Sequence, residues 1–327
     1  MGLLSPLSPI LVSKIGLVPS IVISNIFRLI GTGFLLTAQD FSSVYLFLIF
    51  VVFSIDGAIY HPLISGIISH YVKNTHKGRV NSLTFIISSL AIIVAVFVGG
   101  YFIAQGNNIL LLGLITGSLV LSNLSYICLL DKYSGSNSYT FREVFRYLLS
   151  PAFRENLIPF SMQTFLIIEK IFIPLFIFTF VGDFQVLSYI VGFAVLIEFI
   201  VLFLFGKRID IMPGKGFFQA SFLRSLSSIF FIFFSLNTWL IFFNQTYAKI
   251  SEKMFDSSFG TLLQTKAKKG KDAILFVTAK EMTLCFTEFF ILIGFSGFAY
   301  VYGDLVFMFI YLCSFLAVWV MYNTWRD

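Results

Sequence analysis

Charged side chains recur inside a segment whose flanks are almost wholly apolar. Residues 241–260, IFFNQTYAKISEKMFDSSFG, contain Lys249, Glu252, Lys253 and Asp256. From position 245 to position 264, a polar residue or glycine recurs every three or four positions: Gln245, Lys249, Glu252, Asp256, Gly260 and Gln264. This spacing predicts a helix with one polar stripe, along which Lys249 can pair with Glu252 and Lys253 with Asp256. Because lipid is an unfavourable neighbour for charge, we expect the stripe to line an aqueous cavity; charge pairs that neutralise each other in a packed bundle are the alternative.

Two further carboxylates lie deep in apolar segments, Asp56 within residues 43–70 and Glu169 within LIIEKIFIP. A carboxylate at that depth can take up and release a proton as its surroundings change, so both are predicted proton carriers. Arg28 is a candidate partner for Asp56. Such a pair would keep that carboxylate ionised and outside any proton cycle.

Residues 43–70 also have a thinner polar face, with Tyr60 beside it. Its members are Ser54, Gly57, His61, Ser65 and Ser69. His61 is a weaker candidate proton carrier, and a hydrogen-bonded structural histidine is an equally good interpretation. We expect Tyr60 and His61 to lie on the same pathway as Asp56.

The segments that must position these groups are long and apolar. The chain has 12% charged residues, against about 25% in soluble domains, and contains 43 Phe. Ten candidate spans lie between the polar breaks: 16–38, 43–70, 80–104, 108–131, 156–181, 184–206, 216–236, 238–264, 272–295 and 298–322. Each is long enough to cross a bilayer as a helix, and membrane β-barrels show shorter, alternating segments. The predicted fold class is therefore an all-α polytopic membrane protein.

The basic residues collect in alternate loops, which indicates the orientation of the chain. Sixteen of the 22 Lys and Arg lie there: Lys14, Lys73, Lys77, Arg79, Lys132, Arg142, Arg146, Arg154, Lys207, Arg208, Lys215, Lys266, Lys268, Lys269, Lys271 and Arg326. Loops rich in Lys and Arg stay in the cytoplasm, so both termini are predicted inside, with the plasma (inner) membrane as the expected location. The net charge of +6 then indicates contact with the lipid bilayer and not with nucleic acid.

The ends of the chain and its cysteines carry fewer signals. The N-terminus has no basic region before its apolar stretch, so no removable signal peptide is expected. Cys128, Cys285 and Cys313 fall within spans and the three histidines are widely spaced. We therefore expect no disulfide, no metal site and no cofactor.

A polar stretch divides the chain into two halves. Residues 132–155 open with a Ser/Gly/Asn turn cluster and continue as an amphipathic segment, predicted to be a cytoplasmic linker helix between an N-terminal bundle, 1–131, and a C-terminal bundle, 156–327. Arg28 and Arg224 are 196 residues apart, and Gly78-Arg79 and Gly270-Lys271 are 192 apart. These similar offsets suggest a parallel internal repeat.

Three motifs resemble those of the major facilitator superfamily. The family's loop signature, G-x-L-x-D-R-x-G-R-K, is similar to PILVSKIGLV, which retains Leu11, Lys14 and Gly16 but has Pro9 and Ser13 where the family has Gly and Asp. A second copy, GKRIDIMPGK, retains four residues: Gly206, Asp210, Gly214 and Lys215. The family's G-x3-G-P-x2-G-G motif is similar to the small residues Ala91, Ala95, Val96, Gly99 and Gly100, without the Pro.

The resemblance implies two bundles of six helices. Aligned on the loop at Lys14, the ten spans correspond to the family's third to twelfth helices, so the N-terminal bundle is expected to be incomplete. The spans at 43–70, 156–181 and 238–264 then match helices that enclose the family's substrate site. Structural or gating roles are expected for Arg28, Arg79, Gly206, Asp210 and Lys215.

The expected function is secondary active transport of a small polar solute by alternating access, with protons as a candidate coupling ion. A truncated, non-transporting scaffold or sensor is the alternative. A polytopic enzyme acting on a lipid-linked substrate is the weakest interpretation, because the sequence contains no convincing cluster of catalytic residues. No enzymatic activity is therefore expected. The identity of the solute and the direction of transport stay open.

Overall fold

The structure, a computed structural model, describes residues 2–37, 43–105, 108–129, 139–181, 184–233, 238–269, 273–303 and 305–325. Within these ranges the regular structure is helical. The α-helices are α1 (Leu7–Ile15), α2 (Leu17–Thr37), α3 (Ser43–Tyr71), α4 (Lys77–Ala104), α5 (Asn108–Leu129), α6 (Phe141–Leu148), α7 (Pro151–Arg154), α8 (Leu157–Val181), α9 (Phe184–Ile211), α10 (Pro213–Phe233), α11 (Thr238–Lys269), α12 (Ala273–Tyr302) and α13 (Leu305–Trp325). A 3₁₀ turn at Asn74–His76 precedes α4.

Ten of these helices, α2 to α5 and α8 to α13, coincide with the ten predicted spans. In the described part of the chain, five stretches are long and apolar enough to cross a membrane on length and composition: Leu17–Leu35, Val44–Ser69, Ile109–Ile127, Ala273–Tyr302 and Leu305–Trp325. The all-α, polytopic fold class is confirmed. Four of the polar breaks between predicted spans, near 39–40, 106–107, 182–183 and 236–237, lie outside the described residues, as does the Ser/Gly/Asn turn cluster before 139.

The predicted spans 272–295 and 298–322 leave a break at Ser296-Gly297, and this position for the turn was wrong. Helix α12 continues to Tyr302, and the chain turns at Gly303, whose φ is +57°. A glycine adopts this left-handed conformation without steric cost, whereas Ser and Gly are both tolerated within a helix. The last predicted span therefore begins at Leu305 and not at 298.

The two signature loops are also more helical than expected. In the first copy, α1 extends from Leu7 to Ile15, and the chain turns at Gly16, whose φ is +91°. In the second copy, α9 extends through Gly206 to Ile211, and α10 begins at Pro213. Proline is favoured at a first helical position because it has no N–H to leave unpaired there.

The predicted amphipathic linker helix forms as α6. It begins with a capping box: the Glu143 N–H donates to Thr140 Oγ1 (3.3 Å), and the Thr140 N–H donates to Glu143 Oε2 (2.8 Å). These contacts satisfy N–H groups that the first helical turn leaves without partners. The bonds from Thr140 to the carboxylate lower the pKa of Glu143 below its usual range.

Two compact units make up the chain. The first contains Met1–His70, Ile92–Arg154 and Gly270–Met282, and the second contains Tyr71–Ala91, Glu155–Lys269 and Thr283–Asp327. The boundaries fall inside α4 and α12, whose two ends belong to different units. The predicted division at 131 and 156 stays a prediction.

Each unit has its own apolar core. The core of the first includes Val12, Leu17, Ile21, Ile59, Leu63 and Ile274. Helix α3 approaches α12 closely there, because a Cβ at Gly66 would lie 2.6 Å from Ile274 Cγ1. In the second unit, Ile168, Phe295, Val306 and Ile310 cluster, and the rings of Phe259 and Trp325 stack with centroids 4.6 Å apart.

Candidate functional site

Three helices of the second unit, α8, α10 and α11, bring buried charges together. Lys170 on α8 donates to Asp256 Oδ2 (2.6 Å) and lies 3.2 Å from Glu252 Oε1. Glu252 also lies 3.6 Å from Lys249 Nζ, three residues earlier on α11. The predicted polar stripe is therefore real, and one cation from α8 binds two of its carboxylates.

One predicted pair on the stripe was wrong. Asp256 binds Lys170, while Lys253 Nζ lies 4.9 Å from the centre of the Phe85 ring on α4. Lys253 faces a different neighbour because helical positions three apart still differ in direction by about 60°. The predicted pair of Lys249 and Glu252 is confirmed.

Glu169, next to Lys170, forms a second ion pair that the sequence did not predict. Arg224 Nη2 on α10 donates to Glu169 Oε2 (2.7 Å), and both side chains are almost fully buried, at 1% and 0% exposed. Arg224 Nη1 also donates to Ser227 Oγ (3.1 Å). In the described part of the chain, Glu169 Oε1 and Arg224 Nε have no hydrogen-bond partner. Glu169 therefore keeps one carboxylate oxygen able to accept a proton.

In the first unit, Asp56 is held more completely. Arg28 Nε donates to Oδ2 (2.9 Å) and Arg28 Nη2 to Oδ1 (3.2 Å), while the Ser24 hydroxyl donates to the same Oδ1. The guanidinium also lies over the Tyr60 ring, 4.3 Å from its centroid. The partnership with Arg28 that the sequence suggested is thus observed, as a two-point ion pair.

Tyr60 and His61 separate on the surface of α3. The Tyr60 hydroxyl lies 3.4 Å from that of Tyr126 on α5, beside the pair of Arg28 and Asp56. His61 is exposed, and its ring lies at 75° to that of Tyr60 with the ring centroids 6.0 Å apart. Tyr60 belongs to the Asp56 cluster, whereas His61 lies at its outer edge.

Three of the five predicted structural or gating residues, Arg79, Gly206 and Asp210, meet at the start of α4, within the second unit. Asp210 Oδ1 accepts from the Gly78 N–H (2.7 Å), and Asp210 Oδ2 lies 3.0 Å from Arg79 Nε. The carboxylate thus stabilises the positive end of the helix dipole. Gly206 permits close packing, because a Cβ there would lie 2.7 Å from Ser82 Oγ. Lys215 is exposed and makes no ion pair with the described residues.

Helix α4 is further held to α11 by buried polar contacts. Lys77 Nζ donates to the Gln264 carbonyl (2.8 Å). Asn81 and Gln264 exchange side-chain hydrogen bonds of 3.2 and 2.9 Å. The Ser82 and Ser257 hydroxyls lie 2.9 Å apart. Lys77 was predicted as a loop cation, yet it is fully buried.

Lys170 was not among the predicted site residues, and Arg224 was named from the sequence only as the counterpart of Arg28 in the suggested repeat. One signal for Arg224 was available. Arg28 and Asp56 are 28 residues apart, and so are Arg224 and Glu252, 196 residues later. The suggested repeat would therefore place an arginine and a carboxylate at corresponding positions of both predicted halves.

Among the described residues, no group of His, Cys, Asp and Glu is arranged to hold a metal ion. The ion pairs can instead bind polar groups and exchange protons. The cations and carboxylates can donate and accept hydrogen bonds, and the carboxylates can also take up a proton.

Comparison with known proteins shows similarity in structure. No family model matches the sequence, and no curated protein matches it significantly. The E. coli fucose:proton symporter superimposes with a TM-score of 0.73 at 12% identity, covering 99% of this chain and 86% of that one. A bacterial homologue of the iron transporter ferroportin, in an outward-facing state, gives 0.70 at 11% identity with the same coverage. The proton:xylose symporter gives 0.66 at 12% identity, covering 98% of this chain and 83% of that one. This chain therefore has the fold of the major facilitator superfamily transporters.

Proposed function

We propose that this protein is a secondary active transporter that moves a small polar solute by alternating access and uses protons as the coupling ion. The fold supports the transport class. Two solved structures of the same fold are, by their descriptions, proton symporters for fucose and for xylose.

The buried ion cluster on α8, α10 and α11 carries the proposal. An unpaired charge at the centre of a bilayer costs roughly 2.5–3.5 kcal/mol on insertion scales. Glu169, Lys170, Arg224, Glu252 and Asp256 nevertheless lie together within predicted spans. Apolar residues would stabilise a purely structural bundle at least as well, so the charges indicate a function.

Glu169 is the proposed proton site. When ionised, it binds Arg224 through Oε2. A proton on the free Oε1 would neutralise the carboxylate and weaken this pair, and the charge of Arg224 would then act mainly on Glu252. Protonation would thereby change the ion pairs that Glu252 makes with Lys170 and Lys249 on the stripe. Asp56 is proposed to stay bound to Arg28, because three donors hold its carboxylate.

The proposed solute is polar and rich in hydroxyl groups. Lys170, Lys249 and Asp256 are partly accessible, with 28%, 26% and 22% of their side chains exposed. Together they offer donors and an acceptor without a large excess of either charge. A neutral solute with several hydroxyl groups, such as a monosaccharide, matches this set.

The basic loops support an orientation with both termini in the cytoplasm.

The experiment that tests the proposed function measures proton movement in proteoliposomes loaded with a pH-sensitive dye. Fucose, xylose and other small polar solutes are added outside, and one of them is expected to carry protons inward. Empty liposomes and a Glu281→Gln variant, in which only the carboxylate paired with Lys280 is changed, serve as controls. Absence of proton movement with every solute would contradict the coupling.

A further inference from the structure

A groove of about 430 Å³ lies between α4 and α9 on the second unit. From α4, Arg79, Ser82, Leu83 and Ile86 line it, at a spacing that places them on one helix face. The wall formed by α9 is mainly apolar, and its lining residues include Leu202, Phe203, Leu204, Gly206 and Lys207. The groove is thus apolar along its length, with two cations at one end.

The apolar walls are open to the surroundings. Leu83 is 53% exposed and Phe203 70%, while Ile86 and Leu202 form a buried floor. The close approach of Gly206 to Ser82 closes the groove at its base. In a membrane-spanning helix pair, such a surface is in contact with lipid chains.

The charged end of the groove has an excess of positive charge. Arg79 binds Asp210 through Nε, and its side chain is still 53% exposed. Lys207 is exposed and makes no ion pair with any described residue. Asp210 is the acid at this end, and it already binds Arg79 and the Gly78 N–H. The two cations are therefore available to a negatively charged ligand.

From this geometry we propose that the groove binds an anionic phospholipid, with its phosphate between Arg79 and Lys207 and one acyl chain along Leu83 and Phe203. Arg79 and Ile86 are seven residues apart on α4, a rise of about 10 Å. That distance leads from a headgroup phosphate into the acyl-chain region. A free phosphate ion would use the cations only and would leave the apolar walls unoccupied.

The test is titration of the purified full-length protein, in detergent, with phosphatidylglycerol and with phosphatidylcholine of the same acyl chains, followed by native mass spectrometry. The wild type should bind one molecule of phosphatidylglycerol more tightly than one molecule of phosphatidylcholine. Lys207→Gln should weaken this binding about fivefold, as expected for one basic residue at an anionic surface. Lys215→Gln removes an exposed lysine outside the groove and should leave the affinity unchanged.

A second pair of variants tests the apolar wall. Leu83→Trp fills the groove without changing any charge and should weaken the binding of both lipids. Ile87→Trp adds the same side chain at an exposed position of α4 that does not line the groove, and should have no effect.

Three results would overturn the proposal. The first is equal affinity for both lipids in the wild type. The second is equal loss of phosphatidylglycerol in the Lys207 and Lys215 variants. The third is complete displacement of the lipid by inorganic phosphate, which would identify the occupant as a free anion.

Discussion

At the residue scale, the ion pair of Glu169 and Arg224 is the most deeply buried charge pair described in the chain. A buried ion pair contributes little net stability, since desolvation offsets the attraction between the charges. Removing only one partner is different, because the other charge is then left buried without compensation. This asymmetry leads to a prediction about single and double variants.

Arg224→Met is expected to lower the free energy of unfolding by about 3–5 kcal/mol, because Glu169 would lose its cation. The double variant Glu169→Leu with Arg224→Met removes both charges and should recover most of this loss. Thermal unfolding of the purified variants in detergent measures both effects. Additive losses from the two substitutions would show that the side chains do not act as a pair.

Only part of this residue-level network could be predicted from the sequence. Lys249 and Glu252 are neighbours on one helix, so their spacing alone predicts their contact. Arg224 and Glu169 are 55 residues apart, and Lys170 and Asp256 are 86 apart. Contacts of this kind depend on how helices pack, which the spacing of residues within one helix does not specify.

At the element scale, the close packing of α4 against α9 depends on a glycine of the second signature copy. A Cβ at Gly206 would lie 2.7 and 2.8 Å from the side-chain atoms of Ser82, closer than real Cβ contacts. Gly214, in the same copy, has no heavy atom within 4 Å of an added Cβ. The two glycines therefore form a matched pair.

Gly206→Ala is expected to destabilise the protein by about 1–3 kcal/mol, the usual cost of overpacking. Gly214→Ala should leave the thermal unfolding temperature nearly unchanged. Adding Ser82→Gly to Gly206→Ala removes the clashing side chain and should restore part of the lost stability. Equal unfolding temperatures for the two alanine variants would contradict the close packing.

The capping box of α6 makes the stability of that helix depend on pH. The folded pKa of Glu143 is lowered by its bonds to Thr140, whereas in the unfolded segment it returns to about 4.3. The contribution of the box is therefore fully present above that value and is lost as the pH falls through the lower, folded pKa.

Hydrogen exchange of the α6 amides, corrected for the intrinsic rate at each pH, should show falling protection in acid below about pH 4. Glu143→Gln keeps an acceptor for the Thr140 N–H but does not titrate. Its protection should be independent of pH in this range. A variant that loses protection in acid as the wild type does would show that another group is responsible.

Helix positions were more predictable than helix ends. The ten long apolar segments predict the ten long helices because length and hydrophobicity are local properties. The turn between α12 and α13 was misplaced because Ser296-Gly297 and Gly303 are similar turn signals in the sequence. Gly303 is the residue that takes the positive φ.

At the scale of the whole molecule, the fold matches solved transporters at identities of only 11–12%. The loop signature predicted the fold from a few residues, and one of these, Asp210, makes the contacts that hold the start of α4. The solute class could not be predicted from the sequence, because residue spacing does not show which charges pair and which stay accessible. The corresponding positions of Arg28 with Asp56 and Arg224 with Glu252 support a parallel repeat.

The central claim is that the protein transports a solute with a proton bound at Glu169. The most direct test compares solute accumulation driven by a pH gradient with solute exchange in the absence of a gradient, in proteoliposomes of the wild type and of Glu169→Gln. We expect the wild type to do both, and the variant to exchange solute without accumulating it, because glutamine cannot carry the proton. Accumulation by the variant equal to that of the wild type would remove Glu169 from the mechanism. A wild type that neither accumulates nor exchanges any solute of the panel would contradict transport and favour a scaffold or sensor.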